Sequence, residues 1–216
     1  MIKYVFFDLD GTIIDSSEGI FNTWDYTLKT LGLELRDRDS LRKYIGPPLE
    51  DSFAKEFGFD EEKVKEAVAI YRKSYGEKGV YETELYDGIK KLIMELASNG
   101  FNVILATSKR QSFSEETLER YGLKEYFYFI SGAMVDGTRG KKADVIKHVL
   151  ENAKIDNMDE CIMVGDTIYD VNGAKANNMK CIGVTYGFGL EEDLKEAGAD
   201  YIAHNMEELK KILFSL

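Results

Sequence analysis

Tyr4-Val5-Phe6-Phe7-Asp8-Leu9-Asp10-Gly11-Thr12 sets four apolar residues against an abrupt acidic turn. An uninterrupted apolar run rich in aromatic and β-branched residues predicts a strand buried on both faces. Similar runs recur at Val103–Ala106, Tyr126–Ile130, Cys161–Val164, Cys181–Thr185 and, more weakly, Tyr201–Ala203. Between them lie amphipathic stretches. Ile89, Leu92, Ile93 and Leu96 repeat at helical spacing and run into Gly100, and Val145, Ile146, Val149 and Leu150 form a second stripe. Strands alternating with helices predict an α/β fold: a Rossmann-like parallel sheet with helices on both faces.

One segment breaks the alternation. From Asp15 to about Tyr81 no strand pattern occurs, whereas Ile20, Phe21, Trp24, Leu28 and Leu31 mark one helix face. Leu41 to Ile45 predicts a second helix, closed by the turn Gly46-Pro47-Pro48. Phe53 and Phe57 mark a third, and Val64, Val68, Tyr71 and Tyr75 a fourth, with Asp60-Glu61-Glu62-Lys63 as its solvated start. The expected division is an α/β core of residues 1–14 and 82–216, and an inserted helical cap of residues 15–81 over the carboxyl ends of the strands.

The chain has 216 residues, 44% of them hydrophobic, enough for one good-sized core plus a small second domain. Its net charge of −11 excludes a nucleic-acid surface, which needs basic patches. No segment approaches the length of a membrane span, and the apolar run before Asp8 is too short for a signal-peptide core. The two cysteines, Cys161 and Cys181, sit inside apolar runs and read as buried, reduced thiols. The expectation is a cytoplasmic protein with no membrane partner, a monomer by preference, although a dimer is permitted.

Ligands of open α/β sheets gather at the carboxyl ends of the strands. The residues that end the apolar runs there are Asp8, Asp10 and Thr12; then Thr107, Ser108, Lys109 and Arg110; then Gly165, Asp166 and, slightly later, Asp170. Three strands thus deliver carboxylates and hydroxyls to one rim. Asp8 and Asp10 are two apart, so both side chains leave on the same side if the extended geometry persists. Crowded carboxylates need a cation to neutralise them, and an all-oxygen donor set suits Mg²⁺.

These residues carry a resemblance. Asp8-Leu9-Asp10-Gly11-Thr12 resembles the first motif of the haloacid dehalogenase-like superfamily of hydrolases, and Thr107 is similar to its second. Lys142 in Gly140-Lys141-Lys142-Ala143-Asp144 resembles the third, with Lys141 as the alternative register, and Gly165-Asp166-Thr167-Ile168-Tyr169-Asp170 the fourth. The Lys-Pro-x-Pro that many relatives carry at the third motif is absent. The resemblance implies that Asp8 is the nucleophile, Asp10 the general acid and base, and Thr107 a donor to the phosphoryl group. It places Leu9, Gly11, Thr12 and Ser108 around the phosphate and has Lys142 hold Asp8 and phosphate together. Asp8, Asp10 (through its backbone carbonyl), Asp166 and Asp170 would surround Mg²⁺. Asp170 has a second reading, as the N-cap of the following helix.

The helical insertion and Tyr186-Gly187-Phe188-Gly189 resemble the phosphoglycolate phosphatase-like branch. That resemblance implies a small phosphorylated metabolite as substrate and phosphoglycolate-like monoester hydrolysis as the activity. A nucleoside 5′-monophosphate phosphatase is the alternative; a sugar phosphomutase and a non-catalytic binding protein follow. Ser16, Ser17, Arg42, Lys43 and Tyr44 are weaker candidates for substrate contact. Trp24 and the phenylalanines at helical spacing read as cap core rather than a stacking platform. Gly187-x-Gly189 lacks the remainder of a dinucleotide fingerprint, and neither His148 nor His204 has a partner at ligand spacing.

Overall fold

A computed structural model of the chain describes residues 1–47, 49–134 and 138–216. Two compact units result: Met1–Asp15 with Leu85–Leu216, and Ser16–Glu84. The second boundary lies a few residues beyond the sequence expectation because Glu82 belongs with the helices. Its carbonyl accepts the Gly19 N–H at 3.1 Å, and its carboxylate accepts the Asn22 side-chain amide at 2.9 Å.

The larger unit is built on strands β1 (Tyr4–Phe7), β4 (Asn102–Arg110), β5 (Phe127–Ala133), β6 (Cys161–Gly165), β7 (Lys180–Val184) and β8 (Tyr201–Ala203). They form one sheet in the order β5-β4-β1-β6-β7-β8, with every pair parallel. Short strands β2 (Ile14–Asp15) and β3 (Glu84–Leu85), which the apolar pattern does not reveal, stand outside that sheet. At two residues each, they are too brief to show a period.

Alternation along the central strand divides the core. Val5 and Phe7 pack with Ile89, Leu92, Ile93 and Leu96 of α5 (Ile89–Ser98) and with Leu209 and Leu213 of α10 (Met206–Ser215). Phe6 faces the other layer, with Val145, Ile146 and Val149 of α7 (Lys142–Ala153), Val171 and Ala174 of α8 (Ile168–Ala176), and Leu194 of α9 (Glu191–Ala197). The chain leaves β1 for neighbours on both sides, β4 and β6. This is the switch point where doubly wound sheets open a crevice. Cys161 and Cys181 are buried and unpaired, and burial pushes the Cys161 thiol up to about 12. Among the described residues no helix is long and apolar enough to cross a membrane.

The smaller unit holds α1 (Ser17–Thr30), α2 (Arg38–Arg42), α3 (Leu49–Phe57) and α4 (Glu61–Glu77). Helix α2 starts and ends earlier than the expected Leu41–Ile45. Asp37 caps it, accepting the Ser40 N–H at 2.9 Å, and Lys43 and Tyr44 fall in the turn after it. Pro48, part of the expected turn, lies outside the described residues. Asp60 caps α4 in the same way through the Lys63 N–H at 2.9 Å. Trp24 is fully buried, its ring centroid 4.6 Å from those of both Tyr44 and Phe53 and 5.4 Å from that of Tyr71.

Such an aromatic centre anchors a unit too small to have a second core. Truncating Trp24 removes it and leaves a cavity. Trp24→Ala is expected to cost about 3–5 kcal/mol of stability, measured by urea denaturation with a fluorescence-independent probe such as circular dichroism. A loss below about 1 kcal/mol, the range of surface substitutions, would contradict the role given to this ring.

Candidate active site

The turn after β1 is a compact backbone loop. The Leu9 carbonyl accepts the amides of Ile13 at 2.9 Å and Ile14 at 3.0 Å, while the Gly11 N–H donates to the Ile14 carbonyl at 2.8 Å. Gly11 has φ +83°, and a Cβ there would lie 2.0 Å from Asp166 Oδ2. The position therefore excludes a side chain on two counts, left-handed backbone and close approach. Leu9 itself is core, with no exposed surface.

Asp8 leaves the end of β1 almost fully buried. Its neighbour Lys142, the first residue of α7, is also buried, and its Nζ lies 2.6 Å from Asp8 Oδ1 and 2.8 Å from Asp170 Oδ1. The ammonium directs a hydrogen bond to the Ala106 carbonyl of β4 at 3.0 Å. The two Oδ1 atoms are thus in ion-pair contact with Lys142, while neither receives a well-directed hydrogen bond from the described residues. Lys141, the alternative register, is exposed and precedes the helix as its N-cap.

Asp166 and Asp170 follow β6, and both are completely buried. Asp166 Oδ1 accepts from Thr12 Oγ1 at 3.2 Å, and Oδ2 accepts the Phe188 N–H at 2.8 Å. The Tyr186 hydroxyl donates to the Thr12 carbonyl at 3.1 Å, so the loop after β7 closes over the same carboxylate. A Cβ on Gly187 would fall 2.2 Å from the Gly11 carbonyl oxygen. Asp170 is not the N-cap of α8, since Thr167 holds that position. Asp170 Oδ2 accepts from both Thr167 N and Thr167 Oγ1 at 3.0 Å, leaving Oδ1 for the cluster.

Asp8, Asp166 and Asp170 each present an oxygen within 4.8 Å of the others. Three carboxylates face a single ammonium, Lys142, so the fully ionised cluster carries two uncompensated negative charges in a buried site. Burial first, then repulsion from Asp170, pushes the Asp8 carboxyl up to about 6 despite the opposing pull of Lys142. Burial and the charges of Asp170 and Asp8 raise Asp166 well above the usual carboxylate range. Burial disfavours the Lys142 ammonium, but Asp170 and Asp8 outweigh it, and its pKa is raised. The charge deficit, the all-oxygen donors and the undirected Oδ1 atoms of Asp8 and Asp170 together fit a divalent cation.

Thr107 is buried in β4, where the register with β5 shifts between Ala106 and Arg110. Its side chain favours the ionised Asp8 carboxylate, and its hydroxyl accepts the Lys109 N–H at 3.2 Å. Ser108 is exposed at the rim. The carboxylate of Asp10 lies outside the three-carboxylate group. Its Oδ1 is 2.8 Å from Lys109 Nζ, and the Lys109 side chain is 5% exposed. The sequence places Lys109 at the strand end but assigns it no function.

Three of the weaker candidates in the helical unit have structural partners there. Arg42 pairs with Asp39 and Lys43 with Glu56, and Tyr44 is packed on Trp24. Ser16 is buried with no hydrogen-bond partner for its hydroxyl among the described residues, and Ser17 begins α1. Of the histidines, His204 sits between Glu208 at 2.8 Å and Glu191 at 3.1 Å, and His148 lies 3.2 Å from Ser131 Oγ.

A crystal structure of a predicted phosphatase from Clostridium acetobutylicum superposes with TM-score 0.95 at 44% identity, covering all of both chains. A Pseudomonas aeruginosa protein named 5′-nucleotidase is 36% identical, over 98% of this chain and 95% of its own. A Vibrio parahaemolyticus phosphoglycolate phosphatase is 26% identical, over 98% of this chain and 96% of its own. The family model for haloacid dehalogenase-like hydrolases matches residues 5–184, a span containing every carboxylate and lysine of the site, and the chain belongs to that family as a phosphatase.

Proposed function

We propose that the protein is a Mg²⁺-dependent phosphomonoesterase that works through an aspartyl-phosphate on Asp8. The observation that carries this reading is the placement of Asp8. Its carboxylate is buried, 2.6 Å from Lys142 Nζ, and belongs to a three-carboxylate cluster that needs a dication. In the first step an Asp8 oxygen bonds to phosphorus as the ester P–O bond breaks, and the departing oxygen takes a proton from Asp10. In the second, water attacks phosphorus and gives its proton to Asp10, the P–O bond to Asp8 breaks, and inorganic phosphate leaves. Lys142 and the Thr107 hydroxyl hold Asp8 in place and offer donors to the phosphoryl oxygens. Asp8, Asp166 and Asp170 would hold Mg²⁺, which would supply positive charge to offset that of the transferring phosphoryl group.

The substrate is proposed to be a small phosphorylated metabolite in the cytoplasm. The chain shares 36% identity with the relative named 5′-nucleotidase and 26% with the phosphoglycolate phosphatase. That difference supports nucleoside 5′-monophosphates as the first class to test, with the phosphoglycolate-like monoester of the sequence reading as the second. A panel of both classes, compared by kcat/KM, separates them. A tenfold or greater preference for phosphoglycolate over every nucleotide would reverse the order.

Asp8→Asn is expected to bring turnover to background and to abolish an acid-stable phosphoenzyme, with circular dichroism unchanged. Retained phosphatase activity in that variant would refute the nucleophile assignment. Saturating Mg²⁺, at about 100-fold over its Kd, is expected to stabilise the wild type by about 2.7 kcal/mol, seen as a rise of several degrees in Tm. Asp166→Asn should lose most of that rise.

The raised Asp8 and Asp166 carboxyls set a pH dependence for the metal-free protein. A carboxyl whose folded pKa exceeds its unfolded value favours the folded state most at low pH and loses that contribution as pH rises through the folded value. Without Mg²⁺, stability should therefore fall as pH rises from the ordinary carboxylate range through about 6, the region in which Asp8 ionises. Mg²⁺ should remove that fall. A Tm that is flat across the window in the absence of metal would contradict the charge accounting.

A further inference from the structure

The ion pair between Lys109 and Asp10 is not accounted for by metal binding or by the Lys142 cluster. Both partners are fixed by backbone. Asp10 is held at the head of its turn by a bridge to Ile14, and Lys109 is held by the bond from its amide to Thr107 Oγ1 at 3.2 Å, at the register shift of β4. Keeping a lysine side chain 5% exposed costs desolvation and rotamer entropy. Its Nζ nevertheless reaches Asp10 Oδ1 at 2.8 Å.

We propose that Lys109 is a positioning residue for the general acid and base, and that it selects the oxygen of Asp10 that carries the proton. An ammonium has donors only, so the oxygen it faces must act as acceptor. With Oδ1 facing Lys109, the transferable proton resides on Oδ2. The same contact removes rotation of the carboxylate, and one group can then donate to the ester oxygen and later accept from water without being re-aimed. Lys142 and Lys109 thereby divide the work: one holds the nucleophile and the other holds the acid. This inference rests on the phosphatase reading above.

The experiment uses the Mg²⁺-loaded protein and two esters of one shape, p-nitrophenyl phosphate with a good leaving group and phenyl phosphate with a poor one. Only the poor leaving group needs a well-aimed proton in the first step, and kcat/KM reports that step. Lys109→Met is expected to lower kcat/KM for phenyl phosphate at least tenfold more than for p-nitrophenyl phosphate. Lys109→Arg should restore most of the difference, and Lys109→Met added to Asp10→Asn should cost nothing further. Equal losses on both esters would overturn the proposal in favour of a phosphate-holding lysine; additive losses in the double variant, or no loss at all, would also overturn it. Lys109→Gln, with folding checked by circular dichroism, serves if Lys109→Met does not fold. Asp10→Asn alone distinguishes the two levels of failure. If it shows no dependence on the leaving group, the acid assignment is at fault; if it does and Lys109→Met does not, only the positioning claim falls.

Discussion

The larger unit depends on Lys142, whose buried ammonium meets Asp8, Asp170 and the Ala106 carbonyl. Those three partners come from the end of β1, from α8 and from β4, so one cation ties together three elements far apart in the sequence. Burying a charge is costly unless it is paired and hydrogen-bonded, and the surrounding backbone is shaped to meet that condition. A Cβ on Gly173 of α8 would lie 2.6 Å from Lys142 Cγ, so the helix can pass the lysine stem only without a side chain there. Asp170 turns one oxygen to its own helix start and the other to the lysine, serving the local fold and the cluster at once.

Much of this was legible in the sequence, for a definite reason. Strands buried on both faces are apolar throughout, so Tyr4–Phe7 and Cys161–Val164 announce themselves, and the polar residues after them mark the rim. The family motifs then pick Lys142 rather than Lys141, and in the structure Lys142 is the buried one of the two. Linear reading fails where a residue's surroundings come from far along the chain. Lys109 and Asp10 are 99 positions apart, and nothing in Thr107-Ser108-Lys109-Arg110 says which of its polar side chains turns inward. The register shift in β4 decides that, and register shifts leave no periodic trace. The loop Tyr186–Gly189 was familiar as a motif, yet its physical task, closing over Asp166 through the Phe188 amide, depends on an approach that only the fold creates.

The spacing of Asp8 and Asp10 puts both side chains on the same side only if the extended geometry persists, and the structure instead turns the chain between them and gives them unlike surroundings. Asp8 is part of a crowded acidic cluster with one shared lysine, a setting that calls for a cation and suits a nucleophile that must be desolvated. Asp10 is more open, its side chain 24% exposed against 12% for Asp8, and it has a lysine of its own. Two chemically identical groups acquire different roles when their environments differ, and assigning acid and nucleophile by environment follows the same logic in any paired-carboxylate site. The turn that begins at the Leu9 carbonyl separates the two side chains, sending one to Lys142 and the other to Lys109. On the proposed reading, the motif works because its backbone bends between the two aspartates: the strand delivers the nucleophile, and the turn delivers the acid.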